Sequence, residues 1–413
     1  MKKDYDLIVI GSGAAGIIAA VVAARDEKNV LLLEKLPQIA SKLKATGGGR
    51  CNLTNTLSNE EFMNSFGRDG RFMQDALKVF DHKNLIEFFK QIGVQTHAPD
   101  GFRVFPTTHS STTIIKALDD EMKRVGVEIK CSQKVEHILE KHSHVIGVKT
   151  DKDTFYAKNI ILATGGLGYP TLGAEGDGYT MAKELSHKVT QLYPAMIPLY
   201  TKEKWVANCR ADTLAKVQIS IDIKKYKKLK GVGDLIFTKN GIRGPVVLDF
   251  AREITPLLEK HGEIPILLNL TKGLNQEQLS NHLKLQAKTN PHANILQHIN
   301  TLLPHAISVE LCKLSSINPH AKLKDIDGIN KEKLIKLLVS TPLTVISHEG
   351  FKMAMITRGG INLKEIDPKT MQSKLIKGLY FCGEIVNLDG PCGGYNLQWS
   401  FSSGYLAGIK ISN

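Results

Sequence analysis

The turn Gly11-Ser12-Gly13-Ala14-Ala15-Gly16 constrains this chain more than any other six residues in it. It follows Tyr5-Asp6-Leu7-Ile8-Val9-Ile10, an aliphatic run of strand type, and leads into an Ala/Ile/Val stretch to about Arg25 that suits a buried helix. Asn29-Val30-Leu31-Leu32-Leu33 reads as the next strand and is closed by Glu34, eighteen residues past Gly16. A bare G-x-G-x-x-G says little, but in this strand–turn–helix–strand setting it is the fingerprint of a dinucleotide-binding unit. Gly11 permits the tight turn, Gly13 lets backbone N–H groups approach a pyrophosphate, and Gly16 lets helix and strand pack closely. Ala14 and Ala15 complete that contact set, and Glu34 can accept hydrogen bonds from an adenosine ribose.

A second glycine-rich loop decides between nucleotides. Lys42 precedes Thr46-Gly47-Gly48-Gly49-Arg50-Cys51-Asn52-Leu53-Thr54-Asn55. An NAD dehydrogenase has no need of such a loop here. An extended FAD does, because it calls for further backbone donors along its pyrophosphate and flavin. Lys42, Thr46, Gly47, Gly48, Arg50, Cys51 and Asn52 are the candidate contacts, with Asn55 as an alternative polar contact. Further on, strand-like Asn159–Ala163 runs into Ala163-Thr164-Gly165, which resembles the return of the chain to the cofactor in glutathione-reductase-like flavoproteins. Near the other end, Gly378–Cys382 leads to Gly383-Glu384, and Gly393-Gly394-Tyr395-Asn396-Leu397 opens a helix. In flavoproteins of that architecture the acid holds the ribityl chain and the helix N-terminus points at the flavin pyrimidine, which favours the anionic reduced ring.

Together these blocks resemble the BaiN/RdsA family of bacterial flavoproteins, which includes the YhiN proteins. The matching stretches are the first fingerprint, T-G-G-G-R-C-N-L-T-N (46–55), A-T-G-G-L-G-Y-P-T (163–171) and G-D-G-Y (176–179). They continue through G-D-L-I-F-T-K-N-G-I-R-G-P (233–245), T-R-G-G-I (357–361), T-M-Q-S-K (370–374) and G-E-I-V-N-L-D-G-P-C-G-G-Y-N-L-Q-W (383–399). Departures at Ala40, Ser41, Lys239, Arg243 and Asn387 bear on substrate preference and not on the cofactor. The resemblance implies FAD chemistry on one of three substrates: uridine C5=C6 in 23S ribosomal RNA, a steroid-type conjugated C=C, or a small aminoketone oxidised by oxygen. In the first two, hydride goes from the flavin to the β-carbon of a carbonyl-conjugated alkene and an acid protonates the α-carbon. Cys392 and Cys51, both in loops expected beside the flavin, are the candidate acids. No second G-x-G-x-x-G occurs, so there is no dedicated NAD(P)H domain: either NAD(P)H docks transiently beside the flavin as electron donor or another reductant serves.

Charge separates the substrates. A net charge of +13 favours a polyanion and gives a steroid or aminoketone pocket nothing, although a lysine-rich genome decorating a solvated surface would leave the same charge. Lys224, Lys225, Lys227 and Lys228 surround Tyr226, with Lys230, Lys239 and Arg243 nearby, and are candidates to hold RNA phosphate while the ring stacks a base. A solvated hairpin tip would show the same residues. A protein of a different class, a redox-silent flavin-binding module that contacts RNA or the ribosome, fits the charge as well.

The six cysteines are scattered without a C-x-x-C pair, and no histidine spacing suits a metal, so reduced thiols and no metal site are expected. No apolar run is long enough to span a membrane, and the chain reads as cytoplasmic. The oligomeric state is not legible. The expected fold class is α/β: a discontinuous Rossmann-like FAD domain with a β-rich insert carrying a small helical lobe. The expected boundaries are 1–190 with 353–413 for the FAD domain, 191–272 with 338–352 for the insert, and 273–337 for the lobe.

Overall fold

The computed structural model describes residues 4–412. They form two compact units: the chain up to Tyr193 together with the chain from Ala354 onward, and Pro194–Met353. No helix among the described residues is long and apolar enough to cross a membrane.

The first unit is Rossmann-like and centres on a seven-stranded sheet. Strands Glu128–Lys130, Val30–Leu33, Asp4–Ile10 and Thr154–Leu162 lie side by side in that order and run parallel. The far edge of Thr154–Leu162 is shared. Antiparallel His144–Thr150 pairs with its start and parallel Leu379–Phe381 with its end. Leu7, Ile8, Val9 and Val30–Leu33 are buried whichever face they point to, as a sheet covered on both sides requires. The helix Ala14–Arg25 is buried from Ala14 to Ala24, because the last helix, Tyr395–Ser412, packs along it. A Cβ on Gly404 would stand 2.2 Å from the Ala15 carbonyl oxygen, and one on Gly408 2.8 Å from that of Ala19. Two glycines one turn apart thus let the helices close backbone to backbone.

Register positions the site. Ile10 lies opposite Leu33 and Leu162, and Leu162 opposite Phe381. Four strands therefore end level at their carboxyl ends, where ligands of open α/β sheets bind. The residues that follow them are Gly11, Glu34, Ala163 and Cys382-Gly383.

The second unit is built on a closed antiparallel barrel of six strands. Its order is Leu199–Thr201, Gly241–Arg243, Lys230–Phe237, Thr213–Ile221, Ile264–Asn269, Thr341–His348 and back to the first. Val217, Ile219 and Ile221 alternate with less buried Gln218 and Ser220, the period-two pattern of a one-sided strand. Helix Pro245–His261 turns a stripe of Val246, Val247, Phe250, Ala251 and Ile254 onto these strands. Gly231 and Gly233 make room for it: a Cβ on either would lie 3.3 Å from Val246. Four helices, Gln276–Thr289, Ile295–Asn300, His305–Leu314 and Gly328–Val339, fill the connection between Ile264–Asn269 and Thr341–His348. Asn275, Asn294 and Asp327 cap the first, second and fourth through their side-chain oxygens.

Candidate functional site

The level strand ends bring the first fingerprint and its acid together. A Cβ on Gly16 would stand 1.9 Å from the Gly11 carbonyl oxygen, and one on Gly11 (φ +99°) 2.7 Å from that of Ala163. Both positions are closed to any side chain. Gly13 is the opposite case: a Cβ there meets nothing within 4 Å, and no side chain caps the helix that begins at Ala14. The first turn through Ala14, Ala15 and Gly16 thus keeps N–H groups that no side chain caps, at the positive end of the helix. Glu34 is placed beside that turn. Its Oε2 accepts from the Ser12 backbone N–H at 3.1 Å and from the Ser12 hydroxyl at 2.5 Å, and its Oε1 accepts from the Leu36 N–H at 2.9 Å. Ser12 also accepts from the Ala40 N–H, and so ties the first fingerprint to the start of the second loop. Sequence reasoning passed over Ser12 because it is one of the variable positions of the motif.

The second loop has a backbone that only glycine adopts easily: Gly47, Gly48 and Gly49 lie at φ +58°, +65° and +85°. Gly48 and Gly49 are open around the missing Cβ. The Thr46 hydroxyl donates to the Leu43 carbonyl at 2.7 Å, and Arg50 is exposed, its guanidinium 5.8 Å from the Phe105 ring centre. Asn52 works inward. In the amide orientation its neighbours require, it donates to the Thr54 and Val104 carbonyls and accepts from the Gly394 N–H at 3.0 Å. Asn55 donates to the Gly393 carbonyl at 3.0 Å. Two asparagines thus fasten the second loop to the glycine pair that precedes the last helix.

At the third junction the Lys42 ammonium pairs with Glu384 Oε2 at 2.7 Å, and Glu384 Oε1 accepts from the Thr357 N–H at 2.9 Å. A Cβ on Gly166 would stand 2.6 Å from Glu384 Oε1, and one on Gly178 2.0 Å from the Thr164 hydroxyl. Gly383 (φ +78°) abuts Ala15. Gly165 (φ +71°), by contrast, has open space around it. The hydroxyls of Thr164 and Tyr179 are buried without a hydrogen-bond partner in the protein. The neighbouring Glu384 charge adds to burial in holding the Tyr179 phenol far above its usual range. Open glycines at a helix N-terminus, two orphaned hydroxyls, a lysine and two carboxylates make a donor and acceptor set that fits an extended flavin dinucleotide.

Three side chains differ from the sequence expectation. Cys51 is completely buried, and burial pushes its thiol up to about 12. With no accessible surface it packs in the core, a placement that does not favour the expected role of proton donor. The Tyr395 ring is also buried, 5.1 Å from that of Phe62 and 6.3 Å from that of Phe102. The Asn396 amide is spent on the loop before it, accepting from the Gly390 N–H at 2.8 Å and donating to the Gly390 carbonyl at 2.9 Å. Tyr395, Asn396 and half-buried Leu397 can therefore serve a ligand mainly through the N–H groups of the helix start. Cys392 keeps partial exposure.

In the second unit, Lys224, Lys225, Lys227 and Lys228 are all exposed in the connection between Thr213–Ile221 and Lys230–Phe237. Tyr226 is half-buried, its ring 5.9 Å from that of His261 and 5.7 Å from the Lys225 ammonium. It is partly engaged already, which reduces the face it could offer a base. Pro194–Met353 holds 23 Lys and Arg against 14 Asp and Glu, so this unit carries +9 of the whole charge of +13. No group of three or more His, Cys, Asp or Glu among the described residues could hold a metal ion.

Known proteins resemble this chain along its whole length. The family described as HI0933-like protein Rossmann domain matches residues 5–410. A 3-dehydro-bile acid delta(4,6)-reductase of Clostridium scindens is 30% identical over 402 residues, 97% of each chain. A ribosomal RNA dihydrouridine synthase of Haemophilus influenzae is 28% identical over 417 residues, covering both chains fully. Among solved structures, 3-ketosteroid delta1-dehydrogenase from Sterolibacterium denitrificans superposes with a TM-score of 0.55 at 13% identity, over 99% of each chain, a likeness of fold.

Proposed function

The chain belongs to the HI0933-like Rossmann family, and on that premise we propose that it is an FAD-dependent oxidoreductase that reduces uridine C5=C6 in 23S ribosomal RNA to dihydrouridine. Two full-length relatives named for different substrates support the reaction class. A 3-oxo steroid with Δ4,6 unsaturation and a uracil ring both present a C=C conjugated to a carbonyl. The observation that carries the choice of RNA is the placement of +9 charges on the insert unit, which a steroid does not need and a phosphate backbone does.

Bound FAD supplies hydride chemistry. The chain's own residues bind and orient it. The helix start at Gly13–Gly16 takes the pyrophosphate, Glu34 the adenosine ribose and Glu384 the ribityl hydroxyls. Lys42, paired with Glu384 at 2.7 Å, would bring a positive charge to the same site. The N-terminus of the last helix, after Gly393-Gly394, would offer its positive end to the flavin. Cys392 is the proton donor to the α-carbon. Cys392→Ala is expected to retain flavin and RNA binding and to slow dihydrouridine formation by about 10²-fold, the low end of general acid catalysis. Cys51→Ala is expected to leave the rate unchanged. Single-turnover assays on 23S RNA read both, and equal rates for Cys392→Ala and the parent remove Cys392 from the mechanism.

The whole reading is tested by nucleoside mass analysis of 23S RNA. A deletion strain is expected to lose one dihydrouridine, which returns as a uridine about 2 mass units lighter, the two hydrogens that a hydride and a proton supply. Unchanged RNA, with no activity of the purified protein on free 23S RNA, overturns the RNA reading. The second reading, a small-molecule enone reductase, then leads, favoured by the 30% identity to the bile acid enzyme.

A further inference from the structure

We propose that the outer face of the barrel seats an unpaired nucleotide of the RNA strand, next to the lysine-rich connection and remote in sequence from the flavin-binding segments. This rests on the RNA reading above and gives it a location. Because helix Pro245–His261 packs on the side that Gly231 and Gly233 leave open, the alternate residues of the strands point to solvent. Strand register then sets them in two rows. Val232 lies opposite Gln218, which lies opposite Asn269; Lys230 lies opposite Ser220, which lies opposite Leu267. With Val339 and Ser340 at its end, this face forms a groove of about 350 Å³, small for a ligand cleft and of a size for one nucleotide.

Its chemistry is that of a nucleotide site. Val232 is 65% exposed, an apolar surface on which a base or ribose can lie, with Leu267 in the neighbouring row. Gln218 offers an amide, and Ser220 and Ser340 offer hydroxyls for base edges or a 2′-OH. Lys230 stands in the groove, and Lys224, Lys225, Lys227 and Lys228 continue the positive charge along the connection it leaves. Among the described residues no carboxylate lines the groove, so nothing there repels a phosphate.

The test uses the full-length flavin-loaded protein, a fluorescein-labelled 12-nucleotide oligouridine, and fluorescence anisotropy in low salt. Val232→Glu and Ser220→Glu each place a carboxylate in the groove at an outward position. Each is expected to weaken binding tenfold or more without changing flavin content or thermal melting. Val232→Thr, which keeps shape and adds no charge, is expected to bind within twofold of the parent. A 4-thiouridine version of the oligonucleotide is expected to cross-link to the peptide that spans residues 217–232. If the parent binds and both glutamate variants bind equally well, with cross-links elsewhere, the groove is not the seat although the RNA reading stands. If the parent itself does not bind the oligonucleotide, both fall.

Discussion

Purified Gly394→Val is expected to be colourless, whereas the parent protein is yellow and releases FAD, not FMN, on denaturation. Gly394 sits at φ +86°, a region that a β-branched residue adopts only under strain, of order 1–3 kcal/mol. A Cβ there would also stand 2.5 Å from the carbonyl carbon and oxygen of Thr54, backbone atoms that cannot turn aside. Overpacking of that kind adds roughly 1–3 kcal/mol. The variant relieves both by pulling the start of the last helix away from residues 52–55. That breaks the bond from the Gly394 N–H to Asn52 and withdraws the Gly393 carbonyl from Asn55. A combined loss of about 3 kcal/mol lowers flavin affinity roughly 150-fold. The ratio of flavin to protein absorbance reads the effect, and thermal melting separates lost binding from lost folding. A folded variant with a full complement of flavin would show that residues 393–394 do not form part of the cofactor site.

The second large effect belongs to the insert. Replacing Lys224, Lys225, Lys227 and Lys228 together with alanine is expected to weaken binding of single-stranded RNA about 10²-fold near 0.15 M salt. All four are exposed, so their removal disturbs little beyond the contact of Lys225 with the Tyr226 ring. Each phosphate contact on a single strand contributes about 0.7 to the slope of log affinity against log salt, so four lost contacts flatten it by about 3. A drop in affinity at every salt concentration with the slope unchanged would mean that these lysines do not meet phosphate. Flavin content and the rate of flavin reduction serve as controls.

The segments that proved legible in sequence are those whose signal is local. The strand Asp4–Ile10, its glycine turn and the buried helix after it are each specified by a few consecutive residues. What sequence could not supply was register. Nothing within residues 11–34 says that Ser12 will hold Glu34; that follows from Ile10 lying opposite Leu33. The same holds for Asn52 and Asn55, whose partners lie some 340 residues away. In sequence Cys51 is a candidate acid because its loop is expected beside the flavin, but its own φ of +57° belongs to a turn in which the side chain is buried. Closure of the barrel was hidden for another reason. Leu199–Thr201 is three residues long and pairs with Thr341–His348, a partner that short alternating patterns cannot identify.

The strand Thr154–Leu162 gains its parallel neighbour Leu379–Phe381, and helix Ala14–Arg25 its main packing partner Tyr395–Ser412, from the chain that follows the insert. During synthesis at about 5–20 residues per second, the ribosome therefore delivers the whole of Pro194–Met353 before either piece exists. The basic insert can acquire its structure while the nascent chain still has an open parallel edge at Ile160–Leu162 and a bare apolar helix. A cofactor that needs residues 383–397 must therefore wait until they have followed the insert out of the ribosome. In that interval the exposed edge invites mispairing with other chains.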